Sequence, residues 1–383
     1  IMKQSSTQYD VAIVGASIAG STAAILYAQR GLRVALIERN PDIDAYKKVC
    51  THFIQPTALP TLKRLGVDQA IEAAGGIRNN IDVWTAAGWV RPKDDDRFYG
   101  YNIRRQVLDP LLRRQAAATP NVDFMPGTSL RELVFEQSRV VGLRAERQRQ
   151  PIEIRARLVV GADGRNSRTA DLAGLPAETT PNNRFVYFAQ YRNLSLTSDQ
   201  RSQMWLLGPR AAYAMPNDDG ITVLGLMFPK DELADFKQDL EGNFTRFFES
   251  LADGPQLRGA ERISDIMGMV DMPNISRAKI GPGVALIGDA ALASDPLWGI
   301  GCGWAFQSAQ WLVDATFKSL ARGAVELDQA LERYRERHHK TLADRYARIA
   351  DFSSVRPLNL VERLLYGAAV RDPGLARYTG PYR

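Results

Sequence analysis

Cysteine and histidine are scarce in this chain, with 2 Cys and 3 His among 383 residues. Cys50 and Cys302 cannot build a disulfide framework, and so few thiols fit a reducing compartment. His52, His338 and His339 stand at no metal-ligand spacing with cysteines or carboxylates, so no metal is expected. Long apolar runs are also lacking. The best candidate, 11–26, is interrupted by glycine, serine and threonine and falls short of the roughly 20 apolar residues a membrane helix needs. No signal-peptide pattern opens the chain, so a soluble cytoplasmic protein without an integral membrane segment is expected. Repeats and low-complexity tracts are absent. Lys and Arg number 49 against 43 acids, a net charge of +6, and they come in pairs such as Arg104-Arg105 and Arg113-Arg114. No basic stripe forms, which argues against nucleic acid and for anionic small ligands.

What is present is the composition of a globular protein, 45% hydrophobic and 24% charged, long enough for two or three domains. Tyr9 to Val14 reads as a strand buried on both faces, ending at Gly15. A glycine-rich turn, Gly15-Ala16-Ser17-Ile18-Ala19-Gly20, leads into a helix, and Arg33 to Glu38 reads as a second strand. This is one βαβ unit of the dinucleotide-binding kind. Gly15 permits the tight turn, Gly20 lets helix and strand approach, and Ser17 stands where a middle glycine would face a pyrophosphate. The amides of Ser17, Ile18 and Ala19 open the helix and suit a phosphate. Glu38 closes the second strand, with Arg39 beside it, placed to accept ribose hydroxyls and to repel a 2′-phosphate. FAD or NAD is therefore expected in this pocket.

Further along, helical patterns occupy 56–75 and 102–118, short strands 122–160, and alternating strands 184–228. A helical pattern then runs from about 303 to 350. Strand-like Arg157 to Val160 ends at Gly161-Ala162-Asp163-Gly164-Arg165-Asn166-Ser167. Strand-like Val284 to Ile287 ends at Gly288-Asp289-Ala290-Ala291, followed by Pro296 and Gly299-Ile300-Gly301. Asp289 thus lies at the C-terminal edge of a sheet, where open α/β sheets bind ligands.

These three motifs, in this order, resemble the FAD-dependent monooxygenases of the p-hydroxybenzoate hydroxylase type, a superfamily shared with flavin halogenases and geranylgeranyl reductases. The resemblance implies FAD, held by Asp163, Gly164, Asp289, Gly299, Gly301 and Cys302 besides the first turn. Arg105, with Leu108 and Asp109, is similar to the family's arginine segment near the flavin. The chain departs from the family pattern at Leu292, where histidine is frequent, and at Ala170, where arginine is frequent.

The expected fold is α/β: a Rossmann-like FAD-binding domain with an inserted antiparallel substrate sheet and a C-terminal helical segment. The boundaries are FAD-binding parts 2–80, 102–180 and 276–325, substrate strands 81–101, a substrate sheet domain 181–275, and C-terminal helices 326–383. Leu331, Tyr334, Leu342 and Tyr346 sit at helical offsets and are expected to pack back on the nucleotide domain. His338 and His339, in an arginine-rich stretch, are expected in solvent. Tyr187, Tyr191, Trp205, Met215, Met227 and Trp298 are candidate substrate-lining residues. Strand alternation should send about half of the sheet positions to the opposite face. His52, Tyr213 and Pro296 are the catalytic candidates.

The resemblance implies hydroxylation of an aromatic or polycyclic, polyketide-type molecule through a flavin C4a-hydroperoxide, with molecular oxygen and NADPH or NADH, by a monomer or homodimer. The alternatives are a double-bond reductase of the geranylgeranyl reductase kind, which Val49-Cys50 and Tyr213-Ala214-Met215-Pro216 somewhat resemble, and a non-catalytic flavin-binding module.

Overall fold

A computed structural model describes residues 7–198 and 201–379. The first strand, Thr7–Val14, lies at the centre of a parallel sheet between Gln150–Gly161 and Val34–Glu38. Val34–Glu38 also pairs with Val122–Pro126, and Gln150–Gly161 with Val284–Leu286. Val11 and Ile13 enter the main core on one face, whereas Tyr9, Ala12 and Val14 enter a smaller core under the Thr128–Glu136 and Arg139–Arg147 hairpin. Burial on both faces explains why this strand reads as a continuous apolar run. Three parallel strands end on one edge at Gly15, Gly161 and Ile287, so three distant glycine motifs meet there.

The second large sheet runs Arg184–Arg192, Ile221–Pro229, Arg210–Pro216 and Ser202–Leu207 in spatial order, all antiparallel. Ile81–Thr85 joins it in parallel beside Ser202–Leu207, and Gly88–Val90 completes that edge. Gly100–Asn102 instead pairs with Phe53–Ile54 and Ile77–Asn79 in a small separate sheet. Alternation divides Arg184–Arg192 cleanly. Val186 and Phe188 face the main core, while Phe185, Tyr187, Ala189 and Tyr191 face a second core under the helices Leu233–Gln238 and Leu240–Glu249.

The 56–75 pattern is a short turn and two helices that meet at Gly66, which has φ +68°. The helical pattern after 303 is likewise two helices, Gly301–Thr316 and Ala324–Phe352, separated at Gly323. Leu331, Tyr334 and Leu342 are buried in the main core, and the Tyr334 hydroxyl donates to the Leu286 carbonyl at 2.7 Å. His338 is a correction to the sequence expectation. It is buried against Trp311 and Tyr334, because its helix turns the Tyr334 side inward, whereas His339 is exposed. No helix among the described residues is long and apolar enough to cross a membrane.

Candidate active site

The three strand ends open on a cavity of about 850 Å³. Its walls come from residues as far apart as Val14 and Ala305. Of the expected cofactor residues, Gly15, Ser17, Ile18, Ala19, Glu38, Arg39, Arg105, Asp163, Gly164, Asp289, Gly299, Gly301 and Cys302 all line it. Gly20 does not. A Cβ there would lie 1.8 Å from the Gly15 carbonyl oxygen, so Gly20 serves the turn and not the cavity surface.

Two helices begin at the cavity. The helix Ile18–Ala28 has no side-chain cap and no acid in its first turn, and neither has Gly301–Thr316. Their amides and dipoles are therefore turned toward whatever anion enters. The residues present fit FAD: Ser17, Ile18 and Ala19 would hold its diphosphate, and Gly299 and Gly301 would leave room for the flavin ring. Glu38 Oε2 accepts the Ala16 amide at 2.9 Å and Oε1 the Asn40 amide at 3.0 Å, which fixes the carboxylate at the cavity wall. Both Asp163 oxygens are occupied within their own loop, by Ser167 Oγ at 2.5 Å and by Thr169 at 2.9 Å. Asp163 thus shapes the wall and offers little free valence.

Arg105 explains the serine of the first motif. Its Nη2 donates to Ser17 Oγ at 2.8 Å, while Nε and Nη2 bind the Asp109 carboxylate at 2.8 and 3.0 Å. Arg113 donates from Nε to the Ala16 carbonyl at 3.0 Å and from Nη1 to the carbonyls of Ile43 and Ala45. Lys47 Nζ meets Asp289 Oδ2 at 3.1 Å. Burial works against ionisation of Asp289, but Lys47 and Arg165 outweigh it and hold the carboxyl below its ordinary range. The sequence carries no signal for Lys47 or Arg113, because they lie on irregular backbone or among many other arginines.

The two cysteines, 252 positions apart, meet at this cavity with Sγ–Sγ 4.0 Å. Arg105 Nη1 lies 3.9 Å from each. The Cys302 thiol, followed by the His52 and Arg105 environment, draws Cys50 well below the ordinary thiol range. Interaction with Cys50 and burial push Cys302 well above it. Of the two thiols, Cys302 is therefore the one that holds its proton more tightly.

Of the catalytic candidates only Pro296 lines the cavity. His52 sits behind it, buried, at φ +57°, with Nδ1 accepting the Arg105 amide at 2.9 Å. That bond places any ring proton on Nε2, and burial keeps the imidazole neutral by lowering its pKa. Tyr213 is fully buried behind the cavity-lining Phe188, ring centres 5.6 Å apart, and its hydroxyl has no partner. Burial, with the charges of Cys50 and Asp295, raises its pKa well above the phenol range.

The substrate side differs from expectation. Tyr187, Tyr191 and Trp205 point to the far face of the sheet, a consequence of strand alternation. There Tyr187 stacks on Phe236 with ring centres 5.8 Å apart, and Trp205 Nε1 donates to the Ala252 carbonyl at 2.9 Å. Met215, Met227 and Trp298 are on the cavity side of the main core without lining the cavity. Its apolar wall is Phe188, Met269, Leu292, Pro296 and Ile300. No cluster among the described residues could hold a metal ion.

This fold and cavity define the dinucleotide-binding class of proteins built on a Rossmann-type sheet. Residues 8–234 match the FAD binding domain family model, and the chain belongs to that family; it is an FAD-dependent oxidoreductase. It is 26% identical to digeranylgeranylglycerophospholipid reductase 1 of Methanopyrus kandleri, over 95% of each chain. It is 23% identical to the corresponding reductase of Thermoplasma volcanium, over 89% of this chain and 84% of that one. Among solved structures, the flavin-dependent brominase Bmp2 superposes with TM-score 0.80 at 18% identity, covering 97% and 92% of the two chains. PqsL, "a probable FAD-dependent monooxygenase from Pseudomonas aeruginosa", gives 0.73 at 18% identity, covering 97% and 99%. A geranylgeranyl bacteriochlorophyll reductase-like protein from Thermoplasma acidophilum gives 0.70 at 20% identity, covering 97% and 98%. These likenesses establish the fold.

Proposed function

We propose that the protein reduces carbon–carbon double bonds of an apolar, isoprenoid-type molecule, reversing the order of preference that the sequence motifs suggested. FAD, when bound, supplies the two-electron reduction. Saturating a double bond also needs a proton, and the observation that carries this reading is the cysteine pair. Cys302 Sγ lies at the cavity wall beside Cys50 and can give up a proton there, and the Arg105 guanidinium, near both sulfurs, offsets the negative charge left on the pair. A thiolate is readily oxidised by peroxides, so such a pair is poorly placed beside oxygen-activating chemistry. The wall of Phe188, Met269, Leu292 and Ile300 suits a hydrocarbon chain. The reductases of Methanopyrus and Thermoplasma carry the same activity in their names, which supports the assignment. NADPH or NADH is the proposed electron source, and two reduced thiols fit the cytoplasm.

The test is anaerobic incubation of the FAD-loaded, dithionite-reduced protein with a geranylgeranyl ether phospholipid, followed by mass spectrometry. Gain of two hydrogens per double bond is expected, and Cys50→Ser should lower the rate at least tenfold. Unchanged lipid overturns the reading. A second reading, hydroxylation of an aromatic ring, is favoured by Phe188 in the cavity wall, whose ring can pack against a planar substrate. Incorporation of one oxygen atom into a phenol in air would select it.

A further inference from the structure

The most completely buried ion pair near the cavity is not part of the expected cofactor set. Asp295 lines the cavity just before Pro296, and its Oδ2 meets Arg184 Nη1 at 2.9 Å with both side chains 1% exposed. Arg184 begins the strand Arg184–Arg192 of the substrate sheet and shares the cavity-side face with Phe188, four residues on. Asp295 Oδ1 accepts the Leu297 amide at 2.7 Å and so caps the turn Pro296–Trp298 that leads to Gly299 and Gly301. The Asp295 amide in turn donates to Asn274 Oδ1 at 2.9 Å. The Arg184 guanidinium stacks over Phe352, at the end of the long C-terminal helix, 4.9 Å from the ring centre. Phe352 also meets Trp298, with ring centres 5.6 Å apart. One arginine thereby ties the substrate sheet, the flavin-side loop and the helical segment together.

Burial this complete is costly for two charges, and a turn can be capped by a neutral side chain just as well. What the pair adds is a cavity wall that carries a cap of fixed geometry and yet no net charge. Removing either partner would leave an unscreened charge in a low-dielectric wall, where its field reaches the cavity. That field would act on the negative charge that arrives when a bound flavin takes up electrons.

Resting on the family's FAD binding but not on the choice of substrate, we propose that Arg184 is a positioning residue for the cofactor: through Asp295 it fixes loop 294–301 and keeps the wall neutral, and the pair thereby sets how readily bound flavin is reduced.

The test is the equilibrium between FAD-loaded protein and a reference dye of known potential, measured without substrate for the native chain, D295N, R184K and R184M/D295N. D295N leaves Arg184 as an unbalanced cation and should shift the equilibrium toward reduced flavin at least tenfold, about 30 mV for a two-electron couple. R184K keeps the charge and R184M/D295N restores neutrality, so both should stay within about threefold of the native chain, even if the loop loosens and FAD dissociates faster. Equal potentials in all four proteins would overturn the proposal. So would equal shifts in D295N and the double variant, which would make the pair a structural clamp alone. If D295N does not fold, R184M takes its place. It leaves Asp295 as an unbalanced anion and should shift the equilibrium at least tenfold toward oxidised flavin, and an unmoved equilibrium there overturns the proposal equally. Failure to reduce any prenyl substrate would leave this measurement intact, so the two readings fail separately.

Discussion

Single side chains at this cavity have separable duties. Asp289 stands beside both uncapped helix starts, since a Cβ on its neighbour Gly288 would lie 2.9 Å from Ala19 and 3.6 Å from Ala305. Asp289→Ala should weaken FAD binding at least tenfold, or about 1.4 kcal/mol, in a flavin-fluorescence titration, while leaving the helix content unchanged. His338 makes a different kind of prediction. Burial, helped by Lys279, lowers its pKa to about 3, against about 6.5 in an unfolded chain. The folded state therefore resists a proton that the unfolded state accepts. Its contribution to stability is complete above about pH 6.5 and declines as pH falls toward 3. Between pH 7 and 5 this one residue should cost about 2 kcal/mol, and His338→Phe should remove that part of the slope in urea unfolding.

At the scale of elements, the strand ends were legible in the sequence and the faces were not. Gly15, Gly161 and Gly288 each follow an apolar run, which marks the strand ends, while their meeting at one sheet edge came from the family resemblance and is seen in the strand pairing. The facing of Tyr187 and Trp205 depended on which side of the sheet the two aromatic helices cover, a long-range fact that alternation leaves open. The burial of His338 was hidden for the same reason, since its neighbours in sequence are charged while its neighbours in space are Trp311 and Tyr334. The meeting of Cys50 with Cys302 had no sequence signal beyond their being the chain's 2 cysteines. Strand pairing also predicts a packing effect. Gly225 faces Tyr213 across Arg210–Pro216 and Ile221–Pro229, and a Cβ at Gly225 would meet the phenol ring at 2.4 Å. Gly225→Ala should destabilise the chain by about 1–3 kcal/mol in denaturant titration, and should shift the near-ultraviolet tyrosine signal as Tyr213 moves.

For the whole molecule, the cavity is assembled from widely separated stretches of chain, the first near Val14 and the last near Ala305. None of them is a site alone, so FAD should bind the folded chain and hardly at all the unfolded one. The melting temperature should accordingly climb with added FAD, by an amount that follows the logarithm of its concentration above the dissociation constant. A melting temperature indifferent to FAD would place the binding elsewhere. The same arrangement has a consequence for synthesis. A ribosome delivers residues in order at roughly 5–20 per second, so Cys50 leaves the exit tunnel long before its partner Cys302 exists. For roughly 10–50 seconds at that rate the emerging chain displays half of a pocket, open to water and to any passing thiol. The cofactor can be captured only once the stretch around Ala305 has emerged, which makes loading with flavin a single event and not a stepwise one.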